Sequence, residues 1–263
     1  RRLEQAEQPR HDALHLHPFY RGKMETVPKC AVRSLSDFSI WYSPGVAAPC
    51  EEIARDPDLV YEYTSKWNTV AVVSDGSRVL GLGNIGPKAG LPVMEGKALL
   101  YKYLGGVDSV PVMIDSEDPD EIIRTVLLLQ PTYGGINLED IAQPKCFRIL
   151  DTLRREAEIP VWHDDQQGTA TVTLAGLVSA LRLVGKRLED VRIAFVGAGA
   201  ASVAGARLIF GRGGNPEIAT VVDSRGILGR HRGDIERKRN HFPEKWELCE
   251  QTNAEGREGG IAD

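Results

Sequence analysis

The stretch VRIAFVGAGAASVAGARLIF, residues 191–210, constrains the fold of this chain more than any other. An apolar run enters a tight turn at Gly197-Ala198-Gly199, and small residues Ala200, Ala201 and Ser202 open an apolar helix. A strand, a glycine turn and a helix in that order make a βα unit of a parallel sheet. The first glycine permits the turn, and the second allows a ligand phosphate to approach the backbone. The helix N-terminus then offers unpaired N–H groups and a positive dipole end. Twenty-odd residues on, IATVVDSRG ends an apolar run in Asp223 and Ser224, near the usual offset of a ribose-binding acid. Gly197, Gly199, Ala200, Ala201, Ser202, Asp223 and Ser224 are therefore the expected dinucleotide contacts. An acid at 223 favours NAD, and Arg225 leaves NADP open.

The preceding sequence alternates strand-like and helix-like segments. VPVMID, GGINL and IPVWH read as strands; PDEIIRTVLLLQ, QPKCFRILDTLRREA and TATVTLAGLVSALRLVG read as helices. Such alternation predicts βαβ units and an α/β fold with a parallel sheet. Further upstream, NTVAVVSDGSRVLGL suggests two strands joined by a hairpin at Asp75-Gly76. PVMEGKALLYKYL suggests a helix with Met94, Leu99 and Leu100 near one face. Residues 1–23 read as a helical arm, and DFSIWYS as an extended piece before the turn at Pro44-Gly45 and a helix over 46–55. The expected division is 1–168 for a first α/β domain and 169–263 for a dinucleotide-binding domain.

Composition excludes several classes. A net charge of −5 over 263 residues argues against nucleic acid or an anionic membrane surface as partner. No apolar run reaches membrane-spanning length, and no signal-peptide core is present. The four cysteines lack C-x-x-C spacing and read as reduced thiols of a cytoplasmic protein. HLH at 15–17 reads as the end of a surface helix rather than a metal site.

Two apolar runs end in paired acids: Glu139-Asp140 in INLEDIAQPKCF and Asp164-Asp165 in IPVWHDDQQGT. One such pair is an ordinary solvated turn. Two of them at strand ends, where ligands of α/β sheets gather, suit a hard divalent cation such as Mg²⁺ or Mn²⁺. Arg78 follows a strand end as well. Lys97, after a glycine in GLPVMEGKALL, reads as lying at a helix start, where the dipole and desolvation would lower its pKa toward that of a general base.

WYSPGVAAPC, DGSRVLGLGNIGPKAGLPVMEGKALL, GGINLEDIAQPKCF, VWHDDQQGTA and GAGAAS, in that order, resemble malic enzyme in its compact prokaryotic form, over residues 14–263. The resemblance implies metal-dependent oxidative decarboxylation of (S)-malate to pyruvate and CO₂ with reduction of NAD(P). It implies Lys97 as the base, Asp164 as the group orienting it, and Glu139, Asp140 and Asp165 as metal ligands. Arg78 would hold a malate carboxylate, and Tyr42 would protonate C3 of enolpyruvate. Read without the family, Tyr42 is a packed aromatic before a turn. The resemblance also implies a homodimer. Asn84 and Gln167 depart from the family pattern, which usually has Asp at the first position and often His at the second. The segment after Asp223 is short and polar, so the nucleotide domain is expected to hold only its first part. A metal-dependent oxaloacetate decarboxylase without hydride transfer, and an inactive remnant, stay open as other readings.

Overall fold

The computed structural model describes residues 2–262. It begins with helix α1 (Arg2–Tyr20), followed by α2 (Phe38–Trp41), α3 (Ala47–Arg55) and α4 (Val60–Tyr63). Strand β1 (Thr69–Ser74) leads to α5 (Gly86–Gly105) and β2 (Asp108–Met113). Then come α6 (Pro119–Leu129), β3 (Gly135–Leu138), α7 (Lys145–Glu156) and β4 (Val161–His163). The remainder is α8 (Thr169–Val184), β5 (Ala194–Val196), α9 (Ala200–Phe210), β6 (Thr220–Asp223), β7 (Gly226–Ile227), α10 (Gly233–Glu236) and α11 (Pro243–Gln251). The alternation of strands and helices from β1 onward makes this an α/β protein.

Two compact units divide the chain. One holds Arg1–Glu117, Arg124–Asn137 and Glu156–Val161, and the other Asp118–Ile123, Leu138–Arg155 and Trp162–Asp263. In the first, β1 pairs in parallel with β2 from Thr69 opposite Asp108 to Ser74 opposite Met113. The sheet order is β2-β1-β3-β4. An interior parallel strand is covered on both faces and therefore reads as a continuous apolar run. TVAVVS fits that rule, with Ala71, Val72 and Val73 fully buried. Helix α5 packs on β1 and β2, burying Gly90, Met94 and Ala98. Leu99 and Leu100 point to solvent, unlike the face expected from the sequence. One buried cation serves this unit's framework: the Lys66 ammonium donates to the carbonyls of Gln130 and Tyr133, at 2.6 and 2.7 Å. Burial lowers the Lys66 pKa, opposed by the charge of Glu158.

In the second unit β5 pairs in parallel with β6, and β7 adds antiparallel to β6. Helix α9 is the crossover between the parallel pair and packs against α8 and α11. Gly185 ends α8 in the left-handed conformation, φ 64°, as a helix-stopping glycine does. The short strand β7 was not foreseen, because two residues carry no periodic signal.

Two local expectations need correction. DFSIW forms the short helix α2 rather than an extended piece. No hairpin forms at Asp75-Gly76 either. The chain leaves β1 through an Asx turn, with the Ser77 N–H and hydroxyl on Asp75 Oδ1 at 3.0 and 2.6 Å. The Gly76 carbonyl then accepts from Ile85 and Gly86 N–H, both at 3.2 Å, so the turn holds the start of α5. Gly76 has φ +69°, and a Cβ there would run into the Gly86 carbonyl. Gly83 has a similar φ of +77° with open space around it. Gly83→Ala should therefore cost only the left-handed penalty of about 1–2 kcal/mol. Gly76→Ala should cost clearly more, since it adds a backbone clash. Chemical denaturation of the two variants checks the difference; equal losses would show that the junction yields freely.

Candidate active site

The paired acids lie where the sheet delivers them. Glu139 and Asp140 directly follow β3, and both are about 7% exposed. Carboxylates are seldom this buried unless they are paired or bind a cation. Asp140 stands in the left-handed region, φ 53°, which a non-glycine residue adopts at a cost in strain. In that conformation its N–H donates to Asp165 Oδ2 at 2.9 Å, joining two acids that are 25 residues apart. Asp164 and Asp165 follow β4 inside a single π-type turn, Asp164–Gly168. Such turns widen the backbone and often mark functional sites.

Neighbouring groups shape this turn. Trp162 Nε1 donates to Asp164 Oδ1 at 3.3 Å. A Cβ at Gly168 would displace the Asp164 carboxylate from its present position. Gln167, in place of the family's frequent His, accepts the His163 N–H at 3.0 Å and closes the turn. Gln166 is buried, with its side chain on the Cys146 carbonyl at 3.2 Å. His163, which the sequence reading did not single out, is fully buried with Nδ1 3.7 Å from Asp165 Oδ2. Burial, opposed by the charges of Asp165 and Asp164, lowers its pKa to about 4, so the ring is neutral near pH 7. All four acids belong to the second unit. Their donor set is purely carboxylate oxygen, the chemistry Mg²⁺ or Mn²⁺ requires. Among the described residues, no three His, Cys, Asp or Glu are gathered tightly enough to hold an ion as they stand. The acids fit a hard cation by type and by their place after β3 and β4.

Arg78, Lys97 and Tyr42 belong to the first unit. Arg78 is exposed in the loop between β1 and α5, with Nη1 on the Leu80 carbonyl at 2.8 Å. Lys97 is half-buried well inside the 20-residue helix α5. It is not at a helix start, so the dipole argument for a lowered pKa does not apply. Asn84 holds the loop before α5, one residue ahead of Ile85, which flanks the helix start. Its Oδ1 accepts the Gly86 N–H at 3.2 Å while its Nδ2 donates to Glu117 at 2.7 Å. Tyr42 caps the end of α2 and is 72% exposed, which rules out a packed aromatic within this chain.

The first glycine of the turn, Gly197, lines a cleft of about 650 Å³ together with Val196, Asp223, Ser224, Arg225 and Gly259 among others. Gly197 has φ 109°, and open space lies where a Cβ of Gly199 would project. A pyrophosphate can thus approach the backbone at the start of α9, where Ala200, Ala201 and Ser202 form the first turn. The geometry fits a dinucleotide.

Asp223 sits at the end of β6 with its side chain only 9% exposed, bound by Arg232 Nη1 at 3.0 Å and Lys245 Nζ at 2.5 Å. Arg232 is also held by Asp234 at 2.8 Å. Burial raises the Asp223 pKa, but the bonds from Arg232, Lys245 and the Arg225 N–H outweigh it and bring the pKa to about 2. The sequence reading missed this cage, because RHRGDIERKR and PEKWELCEQ looked like polar tail. An acid whose folded pKa lies below its unfolded value of 3.8 adds stability above about pH 4. That contribution fades as pH falls toward 2. Asp223→Asn should therefore flatten the dependence of unfolding free energy on pH across that window. Arg232→Met, which removes one partner of a buried pair, should cost about 3–5 kcal/mol. Urea denaturation at several pH values measures both; an unchanged slope would mean Asp223 is not paired in solution.

The chain matches two family profiles, "Malic enzyme, N-terminal domain" over residues 21–154 and "Malic enzyme, NAD binding domain" over residues 166–258. It is 48% identical over 256 residues to a bifunctional malic/malolactic enzyme of Bacillus subtilis, covering 97% of this chain and 60% of that protein. It is 47% identical over 229 residues to an NADP-dependent malic enzyme of Haemophilus influenzae, covering 87% of this chain and 30% of that protein. The crystal structure of Entamoeba histolytica malic enzyme superposes with a TM-score of 0.91 at 46% identity, covering 97% of this chain and 54% of that one. The chain thus spans between about a third and three fifths of the length of these relatives. It belongs to the malic enzyme family.

Proposed function

We propose that the protein oxidatively decarboxylates (S)-malate to pyruvate and CO₂ while reducing NAD(P), with Mg²⁺ or Mn²⁺ as the metal. The observation that carries this reading is the hydrogen bond from Asp140 N–H to Asp165 Oδ2, which links the paired acids after β3 to those after β4 in a chain of this family. Glu139, Asp140 and Asp165 would hold the divalent ion. If bound, the ion would supply Lewis-acid polarisation and the nicotinamide would supply the hydride acceptor. The chain's own groups handle the protons. Lys97 accepts the proton of the C2 hydroxyl, with Asp164 as its supporting carboxylate. Arg78 pairs with a malate carboxylate and fixes the substrate's orientation. After the C3–C4 bond breaks and CO₂ leaves, Tyr42 delivers a proton to C3 of the enol.

The nucleotide site takes the dinucleotide on Gly197, Gly199, Ala200, Ala201 and Ser202, with Asp223 and Ser224 at the adenosine ribose. The unpaired acid that would favour NAD is here balanced by Arg232 and Lys245, and Arg225 on the cleft rim is exposed. A 2′-phosphate then meets little repulsion, so NAD and NADP both enter. We also propose a homodimer, supported by the aromatic surface of the first unit beyond α1: Trp41, Tyr42, Trp67 and Tyr103 are each more than half exposed. No described helix is long and apolar enough to cross a membrane. The four free cysteines agree with a cytoplasmic setting.

Two assays on the protein at the full length of its relatives test the reading. With malate and Mn²⁺, Lys97→Ala should lower the rate of NAD(P)H formation by about 10²–10⁴-fold, the usual effect of losing a positioned base. Tyr42→Phe should slow pyruvate release from oxaloacetate but leave some NAD(P)H formation, because its step follows hydride transfer. A Lys97→Ala enzyme oxidising malate at the unmutated rate would place the base elsewhere. For the cofactor, Arg225→Ala should raise KM for NADP about tenfold, equivalent to ~1.4 kcal/mol, and leave KM for NAD nearly unchanged. Equal effects on both cofactors would remove Arg225 from 2′-phosphate binding.

A further inference from the structure

Helix α1 carries two histidines one turn apart, His11 and His15, and their rings face each other. The centroids are 4.6 Å apart at an interplanar angle of 61°, and the two Nε2 atoms are 3.4 Å apart. Two imidazole nitrogens bound to one tetrahedral ion at 2.0–2.1 Å stand about 3.3–3.4 Å from each other. The contact between the two Nε2 atoms is itself a hydrogen bond in which one donates to the other, so the pair already has the spacing of a chelate and an entering ion displaces one proton. A second observation is the charge beside the pair. Asp12 Oδ1 lies 3.6 Å from His11 Nδ1, and Gln8 Nε2 donates to that same oxygen at 2.8 Å. At 3.6 Å the carboxylate makes no hydrogen bond to the ring, but its negative charge favours a cation at the pair. His17 takes no part: its Nδ1 is engaged by the Ala13 carbonyl at 2.8 Å. The i, i+2 spacing of HLH is the wrong one for a helix face, and the i, i+4 spacing of HDALH is the right one.

We propose that His11 and His15 form a surface site for a borderline transition-metal dication, with Zn²⁺ the best match to the bite and water completing the coordination. Imidazole nitrogen distinguishes it from the carboxylate set, which suits Mg²⁺ or Mn²⁺. Among the described residues no third His, Cys, Asp or Glu joins the pair, so it is an open two-ligand site. Its effect is local. No residue of α1 from 7 to 20 is buried, and Pro9 and Pro18 interrupt its hydrogen bonding. A helix with so little packing gains order from a cross-link spanning one turn.

The test uses the tag-free protein with Mg²⁺ in excess, so that the carboxylate site is saturated, and Zn²⁺ titrated against a chromophoric chelator at pH 7.5. One equivalent of Zn²⁺ should bind, at least tenfold more weakly in His11→Ala and in His15→Ala, and as in the parent protein in His17→Ala. These residues are exposed, and unchanged circular dichroism verifies the fold of each variant. Zn²⁺ affinity that is the same in His15→Ala, or no saturable equivalent in the parent protein, would overturn the assignment.

Discussion

One hydrogen bond organises the acidic end of this protein. The N–H of Asp140 donates to Asp165 Oδ2, and Asp140 itself sits in the left-handed backbone region. Its left-handed φ turns the chain away from the line of β3 immediately after that N–H. The turn at 140 thereby brings the acids after β3 to those after β4. The same bond orients a carboxylate from behind and leaves its other oxygen for a different role. Strain of order 1–3 kcal/mol held at such a residue is common where geometry matters for chemistry.

The π-type turn at Asp164–Gly168 depends on the same neighbourhood. It packs on α8 and α9, so its shape is supported by the helix that also begins the nucleotide turn. Behind it, the neutral ring of buried His163 adds no positive charge to compete with a cation for Asp165. In the nucleotide half, the cage of Arg232 and Lys245 around Asp223 removes the electrostatic bias that the sequence alone suggested. A ribose-binding acid discriminates against a 2′-phosphate when its charge is uncompensated. Here that charge is compensated twice.

The sequence made the βα alternation legible because each element is long enough to show its period, and α6, β3, α7, β4 and α8 lie where their patterns place them. The glycine turn was legible because its requirement is stereochemical, as the φ of Gly197 shows. What failed depended on distant partners. Asp75-Gly76 has the composition of a hairpin, yet the Gly76 carbonyl accepts from Ile85 and Gly86, and the second strand never forms. Lys97 looked like a helix-start residue because Pro92 and Gly96 resemble breakers, whereas α5 begins at Gly86 with Pro87 in its first turn. Arg232 and Lys245 lie in a segment without periodicity, and nothing local connects them to Asp223. The left-handed Asp140 was also invisible, since Asp tolerates that conformation without demanding it.

The central claim is that the acids after β3 and β4 form a site for one hard divalent ion. Calorimetric titration of the protein with Mn²⁺ measures this most directly, without requiring turnover. The account predicts one Mn²⁺ per chain, with binding lost or weakened more than tenfold in Asp165→Asn and in Glu139→Gln. It also predicts unchanged circular dichroism in both variants. Mn²⁺ binding of undiminished affinity in both would contradict it.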